Sequence, residues 1–269
     1  MSHILSIQDL SCVGRCSLTV ALPVLSAMGH RCSVLPTAVL STHTAFPSPE
    51  VVPMTGHLAA FADHWARQGV TFDGISVGYL SDPIQAGAVL EIVDKFSCPL
   101  ILDPVMGDGG RLYSRITPAH IQALKKLCAR ADVMLPNVTE AAYLAGEPYT
   151  DAPDELYLET LARKLLALGA GAVVITGVCW DDGRIGWYFS DGSASRAYRD
   201  EYIRRSCHGT GDLFAAVFAG NYLTDGDIPA GAEKAARFVC RCVAGTPEVT
   251  PFGVEFEKEL PMLMGKQTK

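Results

Sequence analysis

At 269 residues, with 49% hydrophobic and 19% charged side chains, the chain has the composition of a globular protein with a large core, not of a disordered one. A formal net charge of −7, with Lys and Arg scattered and no polybasic run, argues against nucleic acid as the main partner, yet leaves room for a phosphate ligand, which needs only a local field. The start of the chain has no basic region leading into a long apolar run, no segment has the length of an apolar membrane span, and the nine cysteines include no Cys-x-x-Cys pair, so a cytoplasmic protein with reduced thiols and no membrane contact is expected.

Strand-like and helix-like segments alternate almost throughout, the pattern of a mostly parallel sheet covered by helices. Residues 3–8 read as a strand and 15–28 as a helix that Pro23 kinks and Gly29 stops. Strand 31–39, helix 54–68, strand 74–80 and helix 83–96 come after it. Next come a short buried strand at 100–102, helix 118–129, strand 132–135, helices 139–145 and 154–168, and strand 172–176. The rhythm then breaks: 184–190 and 193–199 read as two strands joined by the two-residue turn Asp191-Gly192. A helix starting near Asp212, a second over 230–243 and a short amphipathic helix over 255–264 complete the chain. No repeat or linker interrupts it, and one domain over 1–269 is expected.

In such sheets ligands gather at the carboxyl ends of the strands. The segments following strands carry Asp9, His43, Thr44, Tyr79, Asp103, Asp108, Asn137, Glu140 and Thr176, whereas the turns preceding strands are mostly featureless. One end of the sheet is therefore expected to hold the chemistry. Gly209-Thr210-Gly211-Asp212 runs into a nearly all-apolar helix. Amides at a helix start lack intrahelical acceptors and sit at the positive end of its dipole, and glycines let an anion approach them. An aspartate at that place repels phosphate, which makes sense if it works on a substrate hydroxyl; it also fits simple capping. Asp103 and Asp108, on a glycine-rich loop, are spaced to reach one hard cation such as Mg²⁺, and Asn137 and Glu140 suit a helix cap or metal-bound waters. Thr44 and Tyr79 suit a small polar aromatic ligand.

Asp103-Pro104-Val105-Met106-Gly107-Asp108, Asn137-x-x-Glu140 and Gly209-Thr210-Gly211-Asp212, in this order, resemble the ribokinase-like kinases. Leu5-Ser6-Ile7-Gln8, Ser41-Thr42-His43-Thr44 and Gly78-Tyr79 are similar to the vitamin B6 branch, the pyridoxal and pyridoxamine kinases, and the resemblance runs from about residue 4 to about residue 245. It implies a three-layer α/β sandwich with a late antiparallel hairpin, ATP and Mg²⁺ with a response to K⁺ in many members, and a homodimer. It also implies roles. Asp212 takes the proton from the vitamin's 5′-hydroxymethyl group, Gly209, Thr210 and Gly211 form an anion hole, and Asp103, Asp108 and Glu140 position Mg²⁺–ATP with Asn137 and Thr176. Asp9, Thr44 and Tyr79 line the pyridine pocket. Many pyridoxal kinases have serine at the position of Asp9. Hydroxymethylpyrimidine kinases, the alternative reading, carry cysteine where this chain has Asp212, and a non-catalytic vitamin or nucleotide carrier is the alternative from another class. The base is expected to keep an ordinary low pKa at its helix start, and residues 145–154 or the turn at Asp191-Gly192 are expected to close over ATP.

Overall fold

A computed structural model describes residues 1–205, 207–248 and 250–264. In chain order the elements are β1 (His3–Ser11), α1 (Leu18–Ala27), β2 (Arg31–Leu40), β3 (Val51–Pro53), α2 (Leu58–Arg67), β4 (Gly74–Val77), α3 (Gln85–Phe96), β5 (Leu100–Leu102), β6 (Gly107–Asp108), β7 (Arg111–Leu112), α4 (Pro118–Cys128), β8 (Val133–Met134), α5 (Val138–Ala145), α6 (Glu155–Leu166), β9 (Ala172–Cys179), β10 (Arg184–Ser190), β11 (Ser195–Glu201), α7 (Thr210–Asp225) and α8 (Ile228–Gly245).

The strands form a nine-stranded sheet of order β11-β10-β9-β8-β5-β4-β1-β2-β3, with β6 and β7 as a separate small hairpin. The centre, from β9 to β2, is parallel, and β3, β10 and β11 add antiparallel edges. Side chains alternate across a strand, so a sheet covered on both faces needs apolar residues at consecutive positions. Leu100 and Leu102 enter one core and Ile101 the other; Val173 and Ile175 enter the first, Ala172 and Val174 the second. The first core packs under residues of α2 to α6, and the second under α1, α7 and α8. This is the expected three-layer α/β sandwich, and parallel connections bring all the central carboxyl ends to one rim.

Several expected elements change length for identifiable reasons. β1 continues to Ser11 instead of stopping at residue 8, because Leu10 and Ser11 pair with Val39 and Leu40 beyond an irregularity opposite Pro36. Asp9 therefore sits within a strand at a break in its ladder, a place where side chains are commonly re-aimed. The hairpin β10–β11 has a four-residue connection, not two: the Asp191 side chain accepts the amides of Ser193 and Ala194 at 2.8 Å each, an Asx turn that widens the loop. Its tip adjoins Leu166 of α6 and leads from Ser190, paired with Val173 at the start of β9, so it lies at the opposite end of the sheet from the site and is no lid. The expected tail helix is a single 3₁₀ turn, Leu260–Met262, since Pro261 removes an amide in its middle. β3 and the β6–β7 hairpin, each too short to show a periodicity, had no sequence expectation.

Candidate active site

The N-terminus of α7 is built around a glycine that nothing else can replace. Gly209 is the N-cap with φ 83°, and a Cβ there would lie 2.1 Å from the Arg15 carbonyl oxygen. No side chain caps this helix, and among the described residues none accepts the amides of Thr210 or Gly211. Those amides open beside Asp103, whose Oδ2 is 4.0 Å from where a Gly211 Cβ would stand. The turn is held from outside: Arg15 N donates to Phe252 O at 2.7 Å, Val254 N to His208 O at 2.9 Å, and the Arg15 guanidinium pairs with Glu257 at 2.6 Å.

Asp212 lies in the first turn of α7, half-buried, with its carboxyl packed inward. Burial pushes its pKa up to about 6, and the neighbouring Asp9 charge adds to this while the Ser17 amide opposes it. The expectation of an ordinary low value is therefore overturned: desolvation and a like charge outweigh the helix dipole. Asp9, only 5% exposed, accepts the Ser17 hydroxyl on Oδ1 at 2.5 Å and the Ser11 hydroxyl on Oδ2 at 3.0 Å. Burial raises its pKa against those two bonds. The Cys16 thiol, buried beside both carboxylates, is held firmly protonated.

The acids predicted from the loop after β5 assemble on the other side of Asp212. Asp103 is pushed well above the carboxylate range by burial, then by Glu140 and Asp212. Glu140, 3% exposed, is pushed up to about 8, chiefly by burial. It accepts Met106 N at 3.0 Å and Asn137 N at 2.9 Å, while Asn137 Oδ1 accepts Glu140 N at 2.9 Å and Asn137 Nδ2 donates to Gly107 O at 2.8 Å. The pair is thus a capping box that also ties the acid loop to α5. Asp108 is exposed on β6, its Oδ1 accepting Gly109 N at 2.8 Å. It lines a cleft with Asn137, Thr139, Tyr149, Asp151, Gly177 and Cys179. Thr176 lies in β9 next to this cleft, its amide donating to Pro136 O at 2.8 Å. Tyr149, within the 145–154 segment, packs on Gly110, which places that segment against the acid loop.

On the Asp9 side, Tyr79 is half-buried at the end of β4; burial raises its pKa, the Asp9 charge adds to this, and Arg115 opposes it. Thr44 is exposed, and its neighbour His43 is the buried member at 4%. Ala45 N donates to His43 Nδ1 at 3.2 Å, so Nε2 carries the proton and donates to Pro251 O at 2.8 Å. His43 thereby pins residues 41–46 to the 251–254 segment, with Phe46 and His208 rings at 4.9 and 5.3 Å.

Three residues of this site carried no sequence signal. Tyr113, still 43% exposed, has its phenol pushed up by desolvation and then by the charges of Glu140, Asp108, Asp103 and Asp212. The charge of Arg115 opposes the rise at Tyr79, and the Ser17 hydroxyl donates to Asp9. The first two come just after the unforeseen β6–β7 hairpin, which folds their loop back over the rim. Among the described residues, no three His, Cys, Asp or Glu side chains converge closely enough to hold an ion by themselves.

The family model described as phosphomethylpyrimidine kinase matches residues 25–254. The pyridoxine/pyridoxal/pyridoxamine kinase of Bordetella pertussis is 28% identical over 260 residues, covering 91% of this chain and 89% of its own length. The crystal structure of pyridoxal kinase from Lactobacillus plantarum superposes with a TM-score of 0.91 at 34% identity, covering 98% of this chain and 97% of that one. A Bacteroides thetaiotaomicron protein named for phosphomethylpyrimidine kinase, in a crystal form with pyridoxal, gives a TM-score of 0.91 at 32% identity, covering 97% and 95%.

Proposed function

The chain belongs to the phosphomethylpyrimidine kinase family, and from that premise we propose that it transfers the γ-phosphate of ATP to the 5′-hydroxymethyl group of a B6 vitamer. The coarser statement, a kinase for a B6 vitamer or a hydroxymethylpyrimidine, goes with its relatives. The observation that carries the finer reading is the carboxylate of Asp212 standing beside uncapped helix amides, between Asp9 and Asp103. Asp rather than Cys at this position favours the vitamin over the pyrimidine, and kinases named for pyridoxal are among its relatives.

In this reading the acceptor ring lies between Asp9, Tyr79 and the 43–44 segment. Its hydroxymethyl oxygen meets Asp212, which accepts the proton as the oxygen attacks phosphorus. The amides of Thr210 and Gly211 hold the phosphoryl oxygens, with Gly209 giving them room. Thr176 and the cleft beside Asn137 take the rest of the nucleotide. The donor set fits Mg²⁺: oxygen ligands that repel one another and, among the described residues, do not converge closely enough to cage an ion without waters and phosphate oxygens. Asp103, Asp108 and Glu140 would hold it, Glu140 through waters because backbone amides already occupy its carboxylate. When bound, the cation neutralises phosphate charge and orients the triphosphate. A K⁺ response belongs to the same reading as an expectation to be measured.

ADP release with pyridoxal, pyridoxamine, pyridoxine and hydroxymethylpyrimidine tests the proposal. Turnover of at least one vitamer above the pyrimidine is expected; the reverse order assigns the pyrimidine, and no ADP with any acceptor assigns a carrier.

A further inference from the structure

We propose that Ser17 is a positioning residue that fixes the carboxylate of Asp9 for the acceptor, its hydroxyl holding Asp9 Oδ1. The inference rests on the acceptor site described above. Asp9 belongs to β1, and Ser17 is the N-cap of α1, the helix that comes next in the chain.

Three observations single it out. Serine is a favoured N-cap because its side chain accepts a first-turn amide. Ser17 occupies the N-cap of α1 and makes no such bond. Its hydroxyl turns away instead and donates to Asp9 Oδ1 at 2.5 Å, in a buried setting where Ser11 satisfies the other carboxylate oxygen. Its backbone is at φ 48°, ψ −126°, a region that favours glycine and that a side chain enters only against strain. If the turn needed only that backbone shape, glycine would serve better; if the helix needed only a cap, the side chain would cap it. Neither accounts for a serine that is strained and uncapped. The bond to Asp9 accounts for both.

The consequence falls on the acceptor. In the reading above Asp9 faces the acceptor ring, so a fixed Asp9 carboxylate holds that ring in one orientation. Loss of the hydroxyl lets Asp9 drift, which weakens acceptor recognition more than nucleotide recognition.

The test is a double-mutant cycle on the full chain with Ser17→Gly, Asp9→Asn and the double variant. Ser17→Gly suits the local φ, so it is expected to fold with a Tm at or above that of the wild type. Its acceptor KM should rise by roughly tenfold or more, the size of a lost bond to a charged group, with the ATP KM within about twofold. The double variant should be no worse than Asp9→Asn alone, because the hydroxyl acts through Asp9. Additive losses, an unchanged acceptor KM, or equal rises in both KM values with a lower Tm would each overturn the assignment. The acceptor is whichever panel member the wild type phosphorylates, so a pyrimidine substrate corrects the functional reading while the cycle still decides the role of Ser17.

Discussion

A carboxylate proposed as a base would be more useful charged, yet Asp212 is placed where charge is disfavoured. Its pKa of about 6 in the fold exceeds the value of 3.8 for a free side chain. Between those values the native state binds the proton more tightly than the unfolded chain, so stability falls as pH rises through this window. Asp212→Asn removes the effect. Its Tm should match the wild type near pH 4, where both side chains are neutral, and exceed it at pH 8, while kcat drops by about a hundredfold or more, a typical general-base loss. A variant no more stable than wild type at pH 8, or one with near-normal turnover, would refute the assignment. Asp9 is the second residue with a separable role. Its carboxylate is buried and held by two hydroxyls, suited to pair with a protonated pyridine nitrogen or an amine. Asp9→Ser is expected to shift kcat/KM among the vitamers toward pyridoxal, and an unchanged order of preference would end that idea.

At the scale of elements, α5 ties its own start to the acid loop. Asn137 caps the helix and also holds the Gly107 carbonyl, and Glu140 holds the Met106 amide. Asn137→Ala should cost about 1 kcal/mol for the cap, a fall in Tm of roughly 2–4 °C for a chain of this size. Because the loop carrying Asp103 and Asp108 loosens, the ATP KM should rise while the acceptor KM stays within about twofold; equal effects on both would show that the cap is only structural. Both the capping and the catalytic readings of Asn137-x-x-Glu140 were legible in the sequence, and the geometry satisfies the first in full. What the sequence concealed were elements of two or three residues. β6 and β7 are too short for a period-2 pattern, yet they bring Tyr113 and Arg115 over the rim. The strand carrying Asp9 was legible only to residue 8, because Pro36 breaks the ladder opposite and the pairing resumes beyond it. Ser17 fell inside the helix expected over 15–28, since a φ of 48° leaves no mark on residue identity unless glycine fills it.

For the molecule as a whole, the layered sheet was legible because buried parallel strands write long apolar runs. The rim on which the candidate residues gather was legible because polar residues cluster just past the last apolar position of each strand. The result concentrates negative charge: Asp9, Asp103, Asp108, Glu140 and Asp212 meet on one rim of a chain whose formal charge is already −7. Burying these acids beside one another is an intrinsic cost of the unliganded fold, since burial first, and like charge after it, raises Glu140 to about 8 and Asp212 to about 6. Both groups give stability below their unfolded pKa values that is lost as pH rises through the folded ones, a window from about 4 to about 8. A divalent cation with nucleotide opposes that loss, because it binds the carboxylates in their charged form. At a hundred times its Kd a ligand adds about 2.7 kcal/mol, or roughly 5–10 °C in Tm at this size. The increment from Mg²⁺ with ADP should therefore be larger at pH 8 than at pH 5.5, where protons compete for the same oxygens. Differential scanning calorimetry with and without Mg²⁺ and ADP at the two pH values measures it. An increment that is equal at both, or larger at the lower pH, would mean that the rim carboxylates do not receive the metal.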